Sequence, residues 1–323
     1  MSDYLLAVKD MVSAFQTNDG WLRAVDEVSF SIEKGKTLGI VGESGCGKSV
    51  TAMSLIDLLP KPAGQVLDGH IYFNGQDLRG ATSKELRQIR GGQIGVIFQE
   101  PMSALNPLQR IGKQMVEGLR RHTEMSKREA LEESVRLLKR VGIPNPEARI
   151  SAYPHQLSGG MRQRVMIAMA ISCKPELLIA DEPTTALDVT VQAQILALLE
   201  ELKEEYGMSM IMITHDLGVI AESCDDVLVM YAGRVIEKAP VKALFESPRH
   251  AYTKGLLSSL PKLENTPKTP LSTIPGQVAS LSDFVYGCRF CQRMGRRGKV
   301  IQERPKFEEV APQHWVATCP ECT

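Results

Sequence analysis

The sequence has no excess of charge of either sign. Its 323 residues include 38 lysines and arginines and 38 aspartates and glutamates, so the formal net charge is zero. Proteins that follow a phosphate backbone or lie on an acidic lipid surface usually carry an excess of positive charge. The charge balance therefore argues against a role in nucleic-acid binding.

Long hydrophobic runs are also missing. Apolar runs such as residues 38–41 and 177–180 are far shorter than the ~20 residues that a membrane helix needs. The first ten residues lack the basic-then-apolar pattern of a secretory signal. These features predict a protein that is made and kept in the cytosol.

The cysteines do not follow the pattern of a secreted disulfide framework. Three of the seven, Cys46, Cys173 and Cys224, are scattered, whereas the other four lie between residues 288 and 323. This terminal group requires its own explanation.

Short apolar runs indicate an α/β domain. The runs at residues 37–41, 93–98, 177–180 and 208–214 are typical of buried strands, each followed by a turn and a helical pattern. This alternation predicts a largely parallel central sheet.

Two further segments differ in pattern from this sheet domain. Residues of about 102–175 have no comparable β pattern and contain a capping box at Ser126 and Glu129, which predicts an inserted helical subdomain. Beyond residue 255 a connector rich in proline, serine and threonine leads to the terminal cysteines. We therefore predict a domain at residues 1–255 and an extension at 256–323.

The segment GESGCGKS matches the phosphate-loop pattern G-x-x-x-x-G-K-[ST], directly after a strand and before a helix. Backbone N–H groups of such a loop surround a phosphate, while Lys48 reaches the β- and γ-phosphates and Ser49 binds Mg²⁺. The pattern therefore predicts that the chain binds a nucleoside triphosphate. The predicted ATP-binding residues are Gly42, Glu43, Ser44, Gly45, Cys46, Gly47, Lys48, Ser49 and Val50. Cys46 is treated as a filler residue, although a helix N-terminus can lower the pKa of a thiol.

Two carboxylates follow the strand at residues 177–180. The C-terminal ends of parallel strands are where open α/β sheets bind ligands. Asp181 is predicted to hold Mg²⁺ and Glu182 to activate the attacking water.

Kinases, GTPases and motor ATPases share these two elements, so another motif must discriminate among them. Residues 157–161, LSGGM, resemble the LSGGQ signature of the ABC ATPase family, with Met161 in place of glutamine. The resemblance implies a head-to-tail dimer in which Ser158, Gly159 and Gly160 contact the γ-phosphate bound by the other subunit. It also implies a P-loop NTPase fold of the ABC type.

The remaining family elements occur in the family's order. Gln99 matches the loop glutamine that touches Mg²⁺, and Asp188 belongs to the dimer-contact loop at residues 186–188. His215 matches the histidine that contacts the γ-phosphate. Phe15 falls where the family keeps an aromatic that stacks on adenine, although a lone phenylalanine near a strand is more often a core residue.

Several stretches are similar to the oligopeptide, dipeptide and nickel branch of the ABC importers, above all SPRHAYTKGLLSSLP at residues 247–261. The resemblance implies a second ATPase subunit, two membrane permeases and an extracytoplasmic substrate-binding protein. It also implies a peripheral position at the cytoplasmic face of the membrane. Because the binding protein selects the substrate, peptide transport is a preference for the branch and does not follow from this chain's residues.

The terminal cysteines form two C-x-x-C pairs, Cys288 with Cys291 and Cys319 with Cys322. This spacing can bring four thiolates to one metal, and the alternative is four free thiols in a flexible tail. Relatives in this branch can hold a 4Fe–4S cluster there, whereas zinc suits the same ligands equally well. The neighbouring basic residues are interpreted as a solvated loop, and they are Arg289, Arg293, Arg296, Arg297 and Lys299.

The predicted function is ATP hydrolysis that powers the uptake of di- or oligopeptides through partner permeases. One alternative is a soluble ABC ATPase that acts on DNA or ribosomes. A single cassette without sustained heptads argues against it. A second alternative is a P-loop module that does not hydrolyse ATP, which the presence of Glu182 and His215 disfavours.

Overall fold

The computed structural model describes residues 4–18, 20–185, 187–260 and 273–323. The chain forms two compact units, of which the first takes in residues of 1–32, 37–79 and 213–323, and the second residues 33–36 and 80–212. Within the described residues, no helix combines the length and the apolar character needed to cross a membrane. Most of the predicted proline-rich connector lies outside the described residues, as does Ala186 of the predicted dimer-contact loop.

Two sheets organise the first unit. Its strands are β1 (Tyr4–Thr17), β2 (Gly20–Glu33), β3 (Thr37–Val41), β4 (Gly64–Phe73), β5 (Gln76–Asp77), β9 (Asp226–Tyr231), β10 (Arg234–Pro240), β11 (Lys306–Ala311) and β12 (His314–Thr318). One sheet has the order β2-β1-β4-β5, and the strands of the other follow the order β11-β12-β10-β9-β3. Strands β3 and β9 run parallel, whereas β12 pairs antiparallel with both β10 and β11. The C-terminal extension is thus hydrogen-bonded into the sheet that carries β3.

Short helices complete the first unit. They are α1 (Lys48–Leu55), α9 (Leu217–Ser223), α10 (Val241–Glu246), α11 (Ala251–Ser258), α12 (Arg289–Arg293) and α13 (Lys299–Gln302). Helix α1 begins directly after the loop that follows β3. Helices α11 and α12 begin after His250 and Cys288, whose side chains accept hydrogen bonds from the backbone of the first turn.

The second unit is mostly helical. Its parallel strands β6 (Ile94–Ile97) and β7 (Leu177–Asp181) pair with each other, and β8 (Ser209–Ile213) lies on the other side of β7. Its helices are α2 (Ser83–Ile89), α3 (Pro101–Ala104), α4 (Ile111–His122), α5 (Lys127–Arg140), α6 (Pro146–Arg149), α7 (Gly159–Ile171) and α8 (Val189–Tyr206).

The α/β fold class is confirmed, and the predicted strand positions coincide with β3, β6, β7 and β8. The capping box at Ser126 and Glu129 is present and starts α5. Residues 98–176 are all described and contain helices without a strand, as expected for the inserted helical segment. The sequence interpretation missed the sheet of β1, β2, β4 and β5, in which β4 pairs antiparallel with β1 and β5, and it missed the strands β9 to β12. The extension pairs with β10, so the predicted boundary near residue 255 is not the boundary between the two compact units. The division of the chain into a domain at 1–255 and an extension at 256–323 stays a prediction.

Candidate functional site

The phosphate loop lies in the first unit, between β3 and α1. Every residue of β3 is buried, which fixes the point where the loop leaves the sheet. Gly47 caps α1 with a φ of 101°, and a Cβ at this position would come within 2.8 Å of the Ala24 carbonyl oxygen. A side chain at Gly47 would therefore strain the turn that brings the helix N-terminus to the loop.

Lys48 is folded back over this loop. Its side chain is buried, and the ammonium donates hydrogen bonds to the carbonyl oxygens of Gly42 at 2.8 Å and Glu43 at 3.1 Å. The positive charge is thus held within the loop, at the N-terminus of α1. Backbone amides, the helix terminus and the ammonium together make the loop a binding place for a phosphate.

Cys46 is not an activated thiol. Its side chain is fully buried, and burial raises the pKa of the Cys46 thiol above its usual value, although Lys48 acts in the opposite direction. The suggestion that a helix N-terminus lowers this pKa is therefore wrong here, because the loss of solvation outweighs the attraction of the ammonium. Cys46 fills space beneath the loop.

Two other predicted residues also belong to the first unit. Phe15 is half-buried on β1 opposite Gly64, whose missing side chain leaves room for the aromatic ring. His215 is exposed just after β8. The preceding Thr214 donates its backbone N–H to the carbonyl of Ile40 at 3.3 Å, so this turn runs beside the end of β3.

In the second unit, the strand ends bring Gln99 and Glu182 together. The Nε2 amide of Gln99 donates to Oε2 of Glu182 at 3.1 Å, and the Thr185 hydroxyl donates to the same oxygen at 2.8 Å. Asp181 is buried at the end of β7. Glu182 has a φ of 47°, a left-handed conformation that costs energy for a residue with a side chain and is often kept at functional sites.

The signature residues lie at the N-terminus of α7. Ser158 is the N-cap, and its hydroxyl accepts a hydrogen bond from Met161 N–H at 3.3 Å. A Cβ on Gly160 would come within 3.1 Å of the Val191 side chain, so this glycine allows α7 and α8 to approach at their N-termini. Asp188 caps α8 and accepts from Val191 N–H at 3.0 Å. The signature and the predicted dimer-contact residue are therefore neighbours on one surface.

The four terminal cysteines come together in the first unit, and all four are buried. Cys291 Sγ lies 3.5 Å from Cys319 Sγ and 3.3 Å from Cys322 Sγ, and Cys288 Sγ lies 3.8 Å from Cys322 Sγ. The sulfurs all lie within 4.8 Å of one another. A zinc–sulfur bond of about 2.3 Å places tetrahedral sulfurs about 3.8 Å apart. The donor set thus fits a metal centre held by thiolates, and its spacing fits a single tetrahedral ion.

Three of the four sulfurs, those of Cys288, Cys291 and Cys322, do not ionise independently. A hydrogen bond from Cys322 lowers the pKa of Cys288 to about 3, whereas burial raises the pKa of Cys291 to about 12. The interaction with Cys288 also raises the pKa of Cys322. One thiolate therefore keeps its neighbours protonated, and a cation that binds all four sulfurs must displace protons.

The side chains of two basic residues beside these cysteines are buried, contrary to the prediction of a solvated loop. Arg289 forms an ion pair with the buried Asp26 at 2.7 Å, and the side chain of Arg293, 3% exposed, pairs with Glu43 at 2.5 Å. The solvated interpretation holds for Arg296, Arg297 and Lys299, which are exposed. Sequence spacing alone could not separate these groups, because their partners lie more than 240 positions away in the chain.

Sequence reasoning also missed Thr185 and Tyr252. The Thr185 hydroxyl contacts Glu182, and the Tyr252 hydroxyl accepts a hydrogen bond from Glu43 N–H at 2.9 Å. Thr185 stands three residues after Glu182, which is a usable signal. Tyr252 carries no local signal beyond its place in the branch-specific stretch at residues 247–261.

Comparisons with known proteins agree with the ordered motifs. The family described as "ABC transporter" matches residues 25–185, and the family "Oligopeptide/dipeptide transporter, C-terminal region" matches residues 236–299. The chain is 50% identical to the oligopeptide transport ATP-binding protein OppD of Escherichia coli over 311 residues, which cover 96% of this chain and 91% of that protein. It is 47% identical to the probable peptide ABC transporter ATP-binding protein y4tR of Sinorhizobium fredii, covering 98% and 95% of the two chains.

A solved structure supports the same family. The ATP-binding cassette MJ0796, in a dimeric post-hydrolysis state bound to ADP and Pi, matches with a TM-score of 0.66 and 27% identity. The match covers 73% of this chain and 98% of that one.

Proposed function

This chain belongs to the ABC transporter ATP-binding family, and we propose from that premise that it hydrolyses ATP to power the import of di- or oligopeptides. The observation that carries the peptide assignment is the match of residues 236–299 to the C-terminal region of oligopeptide and dipeptide transporters. An ATPase that acts on nucleic acid or ribosomes has no comparable support.

Each sequence motif has a separate task in the proposed reaction. The phosphate loop binds the β- and γ-phosphates through its backbone N–H groups and Lys48, and Phe15 stacks on the adenine. Mg²⁺, when bound, offsets charge on the phosphates, and Ser49, Gln99 and Asp181 are its proposed ligands. His215 contacts the γ-phosphate.

Glu182 is the proposed base for the attacking water. The bonds from Gln99 and Thr185 hold one carboxylate oxygen, Oε2, at 3.1 and 2.8 Å. Both donors are uncharged, so they orient the carboxylate without neutralising it. A carboxylate held in this way can accept a proton from water as the phosphoryl group is transferred.

The signature residues act on a second nucleotide. Ser158, Gly159 and Gly160 present the N-terminus of α7, which favours an anion. We propose that this surface, with Asp188 beside it, completes the site of another ATPase subunit in a head-to-tail dimer. Closure of that dimer would move two permease subunits, at the cytoplasmic face of the membrane, with an extracytoplasmic binding protein delivering the peptide.

The four cysteines are the proposed ligands of a metal centre. The resemblance to the branch favours a 4Fe–4S cluster, in which each thiolate binds a different iron and the sulfurs stand further apart than around one ion. The sulfur separations favour zinc. Elemental analysis and a visible absorption spectrum of anaerobically purified protein distinguish the two: iron with inorganic sulfide identifies the cluster, and zinc alone identifies the single ion.

Reconstitution tests the transport function. The chain would be combined in proteoliposomes with two permeases, a partner ATPase and a peptide-binding protein. Peptide-loaded binding protein should stimulate both ATP hydrolysis and peptide uptake. Stimulation by nucleic acid or ribosomes, with no response to peptides, would contradict the proposal.

A further inference from the structure

Glu43 of the phosphate loop is hydrogen-bonded by two residues from the C-terminal part of the chain, Tyr252 and Arg293. The Glu43 backbone N–H donates to the Tyr252 hydroxyl at 2.9 Å. The Glu43 carboxylate accepts two bonds from the Arg293 guanidinium, at 2.5 Å to Oε2 and 3.3 Å to Oε1. Both the backbone and the side chain of this loop residue are therefore fixed from outside the nucleotide-binding motif.

Arg293 is itself rigidly placed. Its guanidinium also donates to three backbone carbonyl oxygens, those of Ile274 at 3.0 Å, Pro275 at 2.8 Å and Gly276 at 3.0 Å. The side chain is 3% exposed. An arginine side chain with this many partners is fixed more firmly than the side chain of Glu43, which is 33% exposed, so the pairing holds Glu43 in place.

Tyr252 is equally fixed. Its side chain has no exposed surface, and its ring packs against Tyr231 with centroids 4.6 Å apart and Phe290 with centroids 5.6 Å apart. Phe290 belongs to α12, the helix that ends at Arg293. The two contacts to Glu43 therefore come from one packed cluster.

This cluster is continuous with the four cysteines. Cys288 caps α12, so the helix runs from the first cysteine to Arg293. On the other side, the His250 ring packs against Phe290 with centroids 5.7 Å apart, and its Nδ1 accepts from Tyr252 N–H at 3.1 Å. The carbonyl of Cys322 accepts from Ala251 N–H at 2.7 Å. Each of the two residues that hold Glu43 is thus one short segment away from a cysteine.

The contacts have a direct consequence for phosphate binding. A carboxylate in a phosphate loop repels an anionic ligand, and a paired guanidinium offsets that charge. The Tyr252 bond fixes the direction of the Glu43 peptide group, and with it the start of the ring of N–H groups that the phosphate needs.

We propose that Arg293 and Tyr252 are positioning residues for the phosphate loop, and that the four-cysteine centre holds both of them in place. The second clause rests on the proposed metal centre. Loss of the metal should then loosen the loop and weaken nucleotide binding, without any contact between metal and nucleotide.

The first test measures the affinity of full-length variants for a fluorescent ATP analogue. Arg293→Ala and Tyr252→Phe should each weaken binding of the analogue by roughly 3- to 30-fold. Mutating residues that act on a site without contacting its ligand typically changes the coupling to that site by factors of this size. Arg293→Lys, which keeps the charge, should recover part of the loss. Turnover at saturating ATP should change less than the KM for ATP, because the residues do not touch the reacting atoms.

Matched variants control for general effects of mutation. Arg296→Ala removes an arginine that is 59% exposed and pairs with Glu321, and Tyr286→Phe removes the hydroxyl of an exposed tyrosine. Both should bind the analogue as wild type does. Hydrogen exchange of the peptide that contains residues 42–47 should be faster in Tyr252→Phe and unchanged in Tyr286→Phe. If Arg293→Ala and Tyr252→Phe bind like wild type, the positioning role is wrong.

The second test is a cycle between metal removal and Arg293→Ala, again read as analogue affinity. If the centre acts through Arg293, stripping the metal from wild-type protein should weaken binding by a similar factor, and the variant should lose little more on stripping. If metal removal and Arg293→Ala each reduce the affinity by independent factors that multiply, the proposed link between the metal centre and Arg293 is wrong. Elemental analysis of the isolated protein keeps the questions separate, because a protein without metal would refute the proposed centre while the variants still test the positioning role.

Discussion

Two carboxylates, Glu182 in the second unit and Asp26 in the first, occupy opposite kinds of environment. Glu182 accepts hydrogen bonds from an amide and a hydroxyl, whereas Asp26 is buried and lies within ion-pair distance of Arg234, Arg289 and Arg304. Neutral donors orient a carboxylate without adding a charge that opposes its protonation, while several guanidinium groups favour its charged form. The comparison teaches that burial and hydrogen bonding alone do not mark a catalytic base, because the charge of the bonding partners also decides whether a carboxylate can take up a proton.

The Asp26 cluster also explains how the extension is attached. Arg289 belongs to α12 and Arg234 to β10, so one carboxylate joins three parts of the first unit. Burial lowers the pKa of Arg289 to about 10, which leaves it charged at neutral pH. The cluster therefore acts as a structural ionic centre within this unit.

Glu182→Gln removes the proposed base of this comparison, and its loss of ATPase activity should be the largest of the predicted effects. The amide retains the shape but cannot take a proton, so kcat should fall by roughly 10²- to 10⁴-fold. ATP binding and the thermal unfolding midpoint should stay close to wild type. Glu201→Gln, on the exposed surface of α8, serves as the control. Retention of most of the ATPase activity in Glu182→Gln would refute the assignment of the base.

Asp26→Asn removes the structural carboxylate of this comparison and should lower the stability of the fold. Removing one partner of a buried ionic cluster leaves uncompensated arginines, and the free energy of unfolding should drop by about 3–5 kcal/mol. Chemical denaturation measures the loss, and Asp57→Asn, which removes a more exposed ion pair with Lys61, should cost far less. At a temperature where the variant remains folded, its kcat should approach that of wild type. A normal stability for Asp26→Asn would show that the cluster is not structural.

Cys291→Ser should have an intermediate effect on stability. An alcohol is a poor ligand for zinc or iron–sulfur centres, so the protein should lose its metal, and the unfolding midpoint should fall by roughly 5–10 °C. Cys173→Ser removes a half-buried thiol outside the group and should keep full metal content. Equal metal content in both variants would contradict the four-cysteine centre.

The smallest expected effect is the pH dependence contributed by Asp26. Burial would raise the pKa of Asp26, but the attraction of Arg234 and Arg289 outweighs it, so the pKa lies below its usual value of 3.8. A lowered pKa in the folded state contributes stability above the unfolded pKa, and that stability is lost as the pH falls through the folded pKa. The difference in unfolding free energy between wild type and Asp26→Asn should therefore be constant from pH 7 to about pH 5 and shrink below about pH 4. A difference that stays constant to pH 2 would argue against an ionised Asp26.

The sequence by itself determined those features that depend on residues close together in the chain. Local spacing predicts the glycine-rich loop with Lys48, the two carboxylates at the end of β7, the capping box at Ser126 and Glu129 and the positions of four buried strands, since turns, caps and strands are built from consecutive residues. Only the tertiary structure decided which distant residues meet. The pairing of Gln99 with Glu182 spans 83 positions, and that of Arg293 with Glu43 spans 250. It also decided that Cys46 is buried beneath the phosphate loop and that the side chains of Arg289 and Arg293 are buried while Arg296 is exposed. These outcomes depend on desolvation and on charges brought in from remote segments, and neither quantity is defined until the chain has folded.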